Sequence, residues 1–150
     1  MKEYQTKDVR NVVLLGSTKS GKTTLAESML YEGKVIDRRG TVEDKNTVSD
    51  NEELEKLNQR SIYATPLYAE FMDKKINFID APGSDDFIGG AYAGFNVCDS
   101  GILVINAQQG VEVGTEAFVR RAEALNFPLV IAVNQLDAEK ADWDNIQNSL

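Results

Sequence analysis

Three short stretches carry residue types that could handle a nucleotide. Gly16-Ser17-Thr18-Lys19-Ser20-Gly21-Lys22-Thr23, continued by Thr24, has the spacing G-x-x-x-x-G-K-[ST]. Glycines at its two ends let the backbone curl, so that successive N–H groups and the start of the following helix face phosphate oxygens. Lys22 can then reach the β and γ phosphates, and the Thr23 hydroxyl can bind magnesium. Asp80-Ala81-Pro82-Gly83 is D-x-x-G, in which a carboxylate holds magnesium through water and a glycine N–H meets a γ-phosphate. Asn134-Gln135-Leu136-Asp137 is N-x-x-D, and a carboxylate there can accept both N1–H and the exocyclic amine of guanine, an arrangement adenine does not offer. Each of the last two is also ordinary turn or capping chemistry when met alone. Together, in this order, the three point to guanine-nucleotide binding; an ATP-using P-loop enzyme is the alternative.

The elements that must position them follow from hydrophobic patterning. Residues 11–15 are a short apolar run that enters the glycine loop, and residues 22–31 then have helical spacing, which reads as strand, loop, helix. Residues 32–60 are rich in charge, glycine and asparagine and read as a long exposed loop, with a short helix at 52–57. Residues 64–71 and 75–80 read as a hairpin turning at Met72-Asp73-Lys74. An irregular helix over 84–99 would place Phe87, Ile88, Tyr92, Phe95 and Val97 inward. The apolar runs 101–106 and 128–134 have the pattern of parallel strands buried on both faces, separated by a helix at 113–125. A last helix is expected from Asp137 to Leu150, with Trp143 and Ile146 on its inner face. The fold class implied is α/β, an open and mostly parallel sheet with helices on both faces. Ligands of such sheets bind at the carboxyl ends of the strands, where Gly16, Asp80 and Asn134 fall.

Composition sets further bounds. At 150 residues the chain is one domain or a piece of something larger. A net charge of −8 disfavours direct nucleic-acid or anionic-membrane binding. The single cysteine, Cys98, cannot close an intrachain disulfide, and the first ten residues contain no apolar run suited to a signal or membrane span, so a cytoplasmic monomer is expected. There is no histidine at all, so imidazole is unavailable as base, ligand or pH switch. Cys98 and the aromatics Phe71, Phe78, Phe118, Phe127 and Trp143 read as packing residues, and Glu52-Glu53-Leu54-Glu55 as a solvated helix face.

Beyond these motifs, the segment from Ile36 to Asp44, the run Thr47-Val48-Ser49-Asp50, residues 75–80 and residues 109–116 resemble the amino-terminal GTPase domain of bacterial elongation factor G over about residues 8–150. That resemblance implies GTP or GDP with magnesium as ligands and a ribosome as partner through a longer multidomain protein acting in translocation. It implies a sheet truncated before its last strand. A ribosomal protection protein or a release-factor GTPase shares this domain and is the alternative within the same class.

The sequence departs from the family pattern at three places. The family histidine that orients the attacking water falls at Ser84, a poor base, and the neighbouring carboxylates of Asp85 and Asp86 would repel a γ-phosphate. The threonine that completes the family's magnesium shell falls at Tyr63 in Arg60-Ser61-Ile62-Tyr63, with Thr65 as the alternative. Gln135 replaces the lysine of the guanine motif, which implies weaker nucleotide affinity. The expectation is therefore retained GTP binding with weak or lost hydrolysis, set against an ordinary ribosome-stimulated GTPase in which the ribosome supplies what Ser84 lacks.

Overall fold

The computed structural model describes residues 3–149. A single turn of 3-10 helix at Thr6–Asp8 leads into β1, Val9–Leu15, followed by α1, Lys22–Glu32. The long connection holds α2, Glu53–Asn58, and then come the hairpin strands β2, Thr65–Phe71, and β3, Lys74–Asp80. A 3-10 turn at Asp85–Phe87 runs into α3, Ile88–Val97, and β4, Ser100–Asn106, α4, Val113–Leu125, β5, Leu129–Asn134, and α5, Trp143–Ser149, complete the order.

The five strands form one sheet in the order β2-β3-β1-β4-β5. β1 runs parallel to β3 and β4, and β4 parallel to β5, while β2 is antiparallel to β3 as a hairpin requires. Alternation along β1 divides the core between the two faces. Leu14 faces Ala26 and Leu30 of α1 together with Phe78 and Ala69. Val13 and Leu15 face the other way, toward Phe95 of α3, Phe118 and Ala122 of α4 and Ile146 of α5. The register pairs Leu14 with Asp80 and Asn106 with Asn134, so the strand ends that carry the motifs lie side by side on one edge.

Five local expectations change. β5 is not buried on both faces: Val130 is 62% and Ile131 42% exposed, because β5 is the outer strand of the sheet and, among the described residues, nothing covers that side. The last helix begins at Trp143 rather than Asp137, since residues 135–141 are taken up by turns in which Ala138 N–H reaches Gln135 O and Ala141 N–H reaches Ala138 O; its expected last residue, Leu150, lies outside the described residues. Ile146 is buried as expected, but Trp143 stands half exposed at the first position of the helix. Val97 and Phe71 are exposed as well, one at the last turn of α3 and the other at the tip of the hairpin, where neither has a facing element.

Candidate functional site

The glycine loop connects β1 to α1 as the sequence implies. Gly16 has φ of 139° and a Cβ there would collide with the carbonyl of Val104; Gly21 has φ of 99° and its Cβ would collide with the side-chain amide of Asn134. Both positions combine a left-handed backbone with close approach, so only glycine fits. Lys22 is buried and its ammonium donates to the carbonyls of Gly16 at 2.9 Å and Ser17 at 2.8 Å, which holds it inside the curl of the loop. Burial lowers its pKa from 10.5 to about 8, with Asp80, Asp50 and Glu112 pulling it partly back. Gly83 seats against the same place, its Cα so near that a Cβ would lie 2.5 Å from the ammonium. The D-x-x-G turn thus lies directly over the phosphate loop.

Beside Lys22 the structure gathers hydroxyls and carboxylates from four segments. Thr23 donates to Asp80 Oδ2 at 2.8 Å, and Ser49 donates to the same oxygen at 2.8 Å. The Ser61 hydroxyl lies 3.2 Å from that of Thr23. Asp50 is buried and Asp80 is fully buried; among the described residues, Asp80 Oδ1 and both oxygens of Asp50 have no hydrogen-bond partner of normal geometry. Burial pushes Asp50 up to about 6, with the nearby Ser61 hydroxyl drawing it back and the Asp80 carboxylate adding to the rise, and burial raises Asp80 too. Buried carboxylate oxygens left without donors are costly unless a cation neutralises them. Among the described residues no three carboxylate, histidine or cysteine side chains gather as a self-sufficient metal cage. Two carboxylates with two or three hydroxyls suit a small hard cation that keeps water and shares a phosphate oxygen, which is how magnesium binds.

The expected ligand Tyr63 is not there. Tyr63 is 53% exposed, because its main-chain N–H, like that of Ile62, is drawn onto Glu55 Oε1 at 3.0 Å. Ser61 faces Thr23 instead. Thr65 sits opposite Asp80 in the hairpin, but its hydroxyl donates to Ser49 O at 3.2 Å and so supports Ser49 rather than entering the cluster. Glu55 itself corrects the reading of the acidic run as a solvated face: it is 1% exposed. Glu27 of α1 is equally buried and accepts from Gly40 N at 2.8 Å and Val48 N at 2.6 Å, fixing the loop that delivers Ser49 and Asp50. Ser49, Asp50, Ser61, Glu27 and Glu55 were not singled out as site residues from sequence. The one available signal was the run Thr47-Val48-Ser49-Asp50.

Ser84 follows the D-x-x-G turn with an extended backbone, partly buried, and accepts Phe87 N–H through its carbonyl at 3.0 Å. Asp85 and Asp86 are exposed, and Pro82 is buried beneath the turn. At the far end of the loop, Asn134 donates to Ser20 O at 2.9 Å and Gln135 Nε2 to Lys19 O at 3.2 Å, while Asn106 donates to Gln135 Oε1 at 3.0 Å. Gln135 therefore supports the phosphate loop through its amide. Asp137 is exposed beyond it. An open cleft of about 590 Å³ runs across Thr18, Lys19, Gly21–Thr24, Asp50, Ser61, Gly83, Asn106 and Gln135, a size in the range of ordinary cofactor sites. Cys98 packs against the core with its thiol pushed up to about 11 by burial, as expected of an inert residue.

Known proteins resemble this chain in sequence and in fold. The elongation factor Tu GTP binding domain matches residues 7–150. An elongation factor G-like protein of Mycobacterium tuberculosis is 36% identical over 90% of this chain and 19% of its own length. The tetracycline resistance protein TetW of Butyrivibrio fibrisolvens is 34% identical over 93% of this chain and 22% of its own. A crystal structure from Thermus thermophilus superposes with a TM-score of 0.89 at 33% identity, covering 94% of this chain and 21% of the other. The fold alone is shared with translation elongation factor SelB of Methanococcus maripaludis, solved with a GTP analogue, at a TM-score of 0.66 and 18% identity, over 93% of this chain and 24% of that one. The chain thus spans about a fifth of the length of the curated relatives it matches. With the phosphate loop, the Asp80 turn and the Asn134 motif converging on one edge of such a sheet, the chain belongs to the elongation factor Tu GTP-binding domain family, the nucleotide-binding domains of translational GTPases.

Proposed function

We propose that this chain is the magnesium-dependent guanine-nucleotide switch of an elongation factor G-like translation factor, a fragment of a longer multidomain protein that works as a cytoplasmic monomer on the ribosome in translocation, and that it binds GTP while hydrolysing it weakly or not at all. The observation that carries the reading is the cluster beside Lys22 of buried Thr23, Asp80 and Asp50 with half-buried Ser61. In it, the N–H groups of the curled loop and Lys22 bind the β and γ phosphates, Asn134 braces the loop, and Asp137 reads guanine. Thr23, with Asp80, Asp50 and Ser61 beside it, would hold magnesium, which would supply positive charge against the phosphates. Gly83 and Ser61 sit on separate segments, so a γ-phosphate drawing on both would bias the two segments together, and its loss would release them.

Hydrolysis needs a group that orients water against the γ-phosphate. By the family resemblance that place falls to Ser84, which has no titratable function near neutral pH, and the exposed Asp85 and Asp86 carry the wrong charge. The decisive experiment is phosphate release from GTP by the full-length protein with and without ribosomes, beside a direct nucleotide-binding control. GTP binding without phosphate above the ribosome blank supports the reading. Strong stimulation by ribosomes overturns its hydrolysis part and makes the protein an ordinary ribosome-stimulated GTPase. A ribosomal protection or release-factor role is the second reading, and the likeness to the tetracycline resistance protein TetW favours the first of these two.

A further inference from the structure

Glu55 is buried on a six-residue helix whose neighbouring Glu53 and Leu54 are exposed. A carboxylate leaves water only when donors replace its hydration, and the donors here, among the described residues, are main-chain N–H groups. One, Glu52 N–H on Oε2 at 3.3 Å, is the reciprocal half of a capping box and is local chemistry. The other two, Ile62 and Tyr63 N–H on Oε1 at 3.0 Å each, come from beyond the end of the helix, after the chain has reversed through Gln59 at φ of 50°. The reversal folds residues 60–63 back onto their own helix, and the carboxylate fastens them there. With the N–H groups of residues 62 and 63 turned inward, the Tyr63 ring must face solvent and the Ser61 hydroxyl faces Thr23. Glu55 also stands close enough to Asp50 and Asp80 to add to the negative field around them.

We infer that Glu55 is the positioning residue of this segment: an internal anion that decides which side chain of residues 61–63 enters the cation cluster, and so sets the magnesium concentration at which nucleotide is held, without touching cation or nucleotide. This rests on the guanine-nucleotide reading above and adds a residue that acts through Ser61.

Amide hydrogen exchange on the full chain and on Glu55→Ala and Glu55→Gln tests the clamp. Ile62 and Tyr63 amides are protected in the parent chain and exchange at least about tenfold faster in Glu55→Ala, while the amides of β1 and β3 are unchanged. Glu55→Gln keeps an acceptor at the Oε1 position and retains most of that protection. A magnesium titration of bound fluorescent GDP is the second readout. Glu55→Ala raises the midpoint about tenfold and leaves affinity in chelator at the parent value, and Glu55→Gln restores most of the difference. Rapid exchange of both amides in the parent chain overturns the inference. So does a Glu55→Ala chain that matches the parent in both assays, or one that loses affinity equally with and without magnesium, which is the signature of general damage. Should the parent bind no guanine nucleotide, the functional reading falls, and the exchange measurement still decides the clamp.

Discussion

Replacing Lys22 by methionine should change the stability of the nucleotide-free protein by an amount that depends on pH, most favourable to the variant at neutral pH and declining in alkali. Lys22 is 5% exposed and its pKa falls from 10.5 to about 8, so the folded state disfavours the proton that the unfolded chain keeps. That difference is worth about 3 kcal/mol when both states are protonated. Below pH 8 the lysine is charged in both states and the full penalty is present. Between pH 8 and 10.5 the unfolded chain binds more protons, so stability of the parent protein rises with pH through that window. Methionine removes the titration, and the difference between the two proteins should change by about 3 kcal/mol across the window whatever fixed amount the lost bonds to Gly16 O and Ser17 O contribute. Urea unfolding at a series of pH values from 8 to about 10.5 reads this directly, because titrating groups not coupled to Lys22 cancel between the two chains and the carboxylates of Asp50 and Asp80 stay ionised in both over most of that window. Parallel stability curves would refute the reasoning.

Gly21→Ala should weaken guanine-nucleotide binding about a hundredfold, since a side chain at φ of 99° and displacement of Asn134 from Ser20 O together cost about 3 kcal/mol; fluorescent-nucleotide titration checks it. Ser61→Ala should raise the magnesium midpoint for nucleotide retention, whereas Tyr63→Ala, altering an exposed ring, should leave it within about twofold. Ser84→His should raise ribosome-stimulated phosphate release by about a hundredfold if a water-orienting group is what the parent protein lacks, measured as single-turnover phosphate release.

The motifs were legible because each is a local backbone device whose neighbours along the chain are also its neighbours in space. Gly16 must curl at the end of β1, Asp80 ends β3, and Asn134 ends β5, so strand patterning alone brought them to one edge. The supporting carboxylates were not legible. Glu27 meets Gly40 and Val48, and Glu55 meets Ile62 and Tyr63, across a segment without regular periodicity. A main-chain donor leaves no trace in residue type. For the same reason Ser49, Asp50 and Ser61 could not be told from other polar residues of the loop, and the pattern-based choice fell on Tyr63. Burial failed at edges, as at Val130, Val97 and Trp143, where an apolar side chain specifies only that it could be covered.

The central claim is that this cleft holds guanine nucleotide through a magnesium-dependent cluster. The most direct measurement is competition for labelled GDP by GTP and by ATP, with magnesium and with chelator. The account predicts displacement by GTP and not by ATP, and a large loss of retention when magnesium is removed. Equal displacement by ATP, or binding indifferent to magnesium, would contradict it.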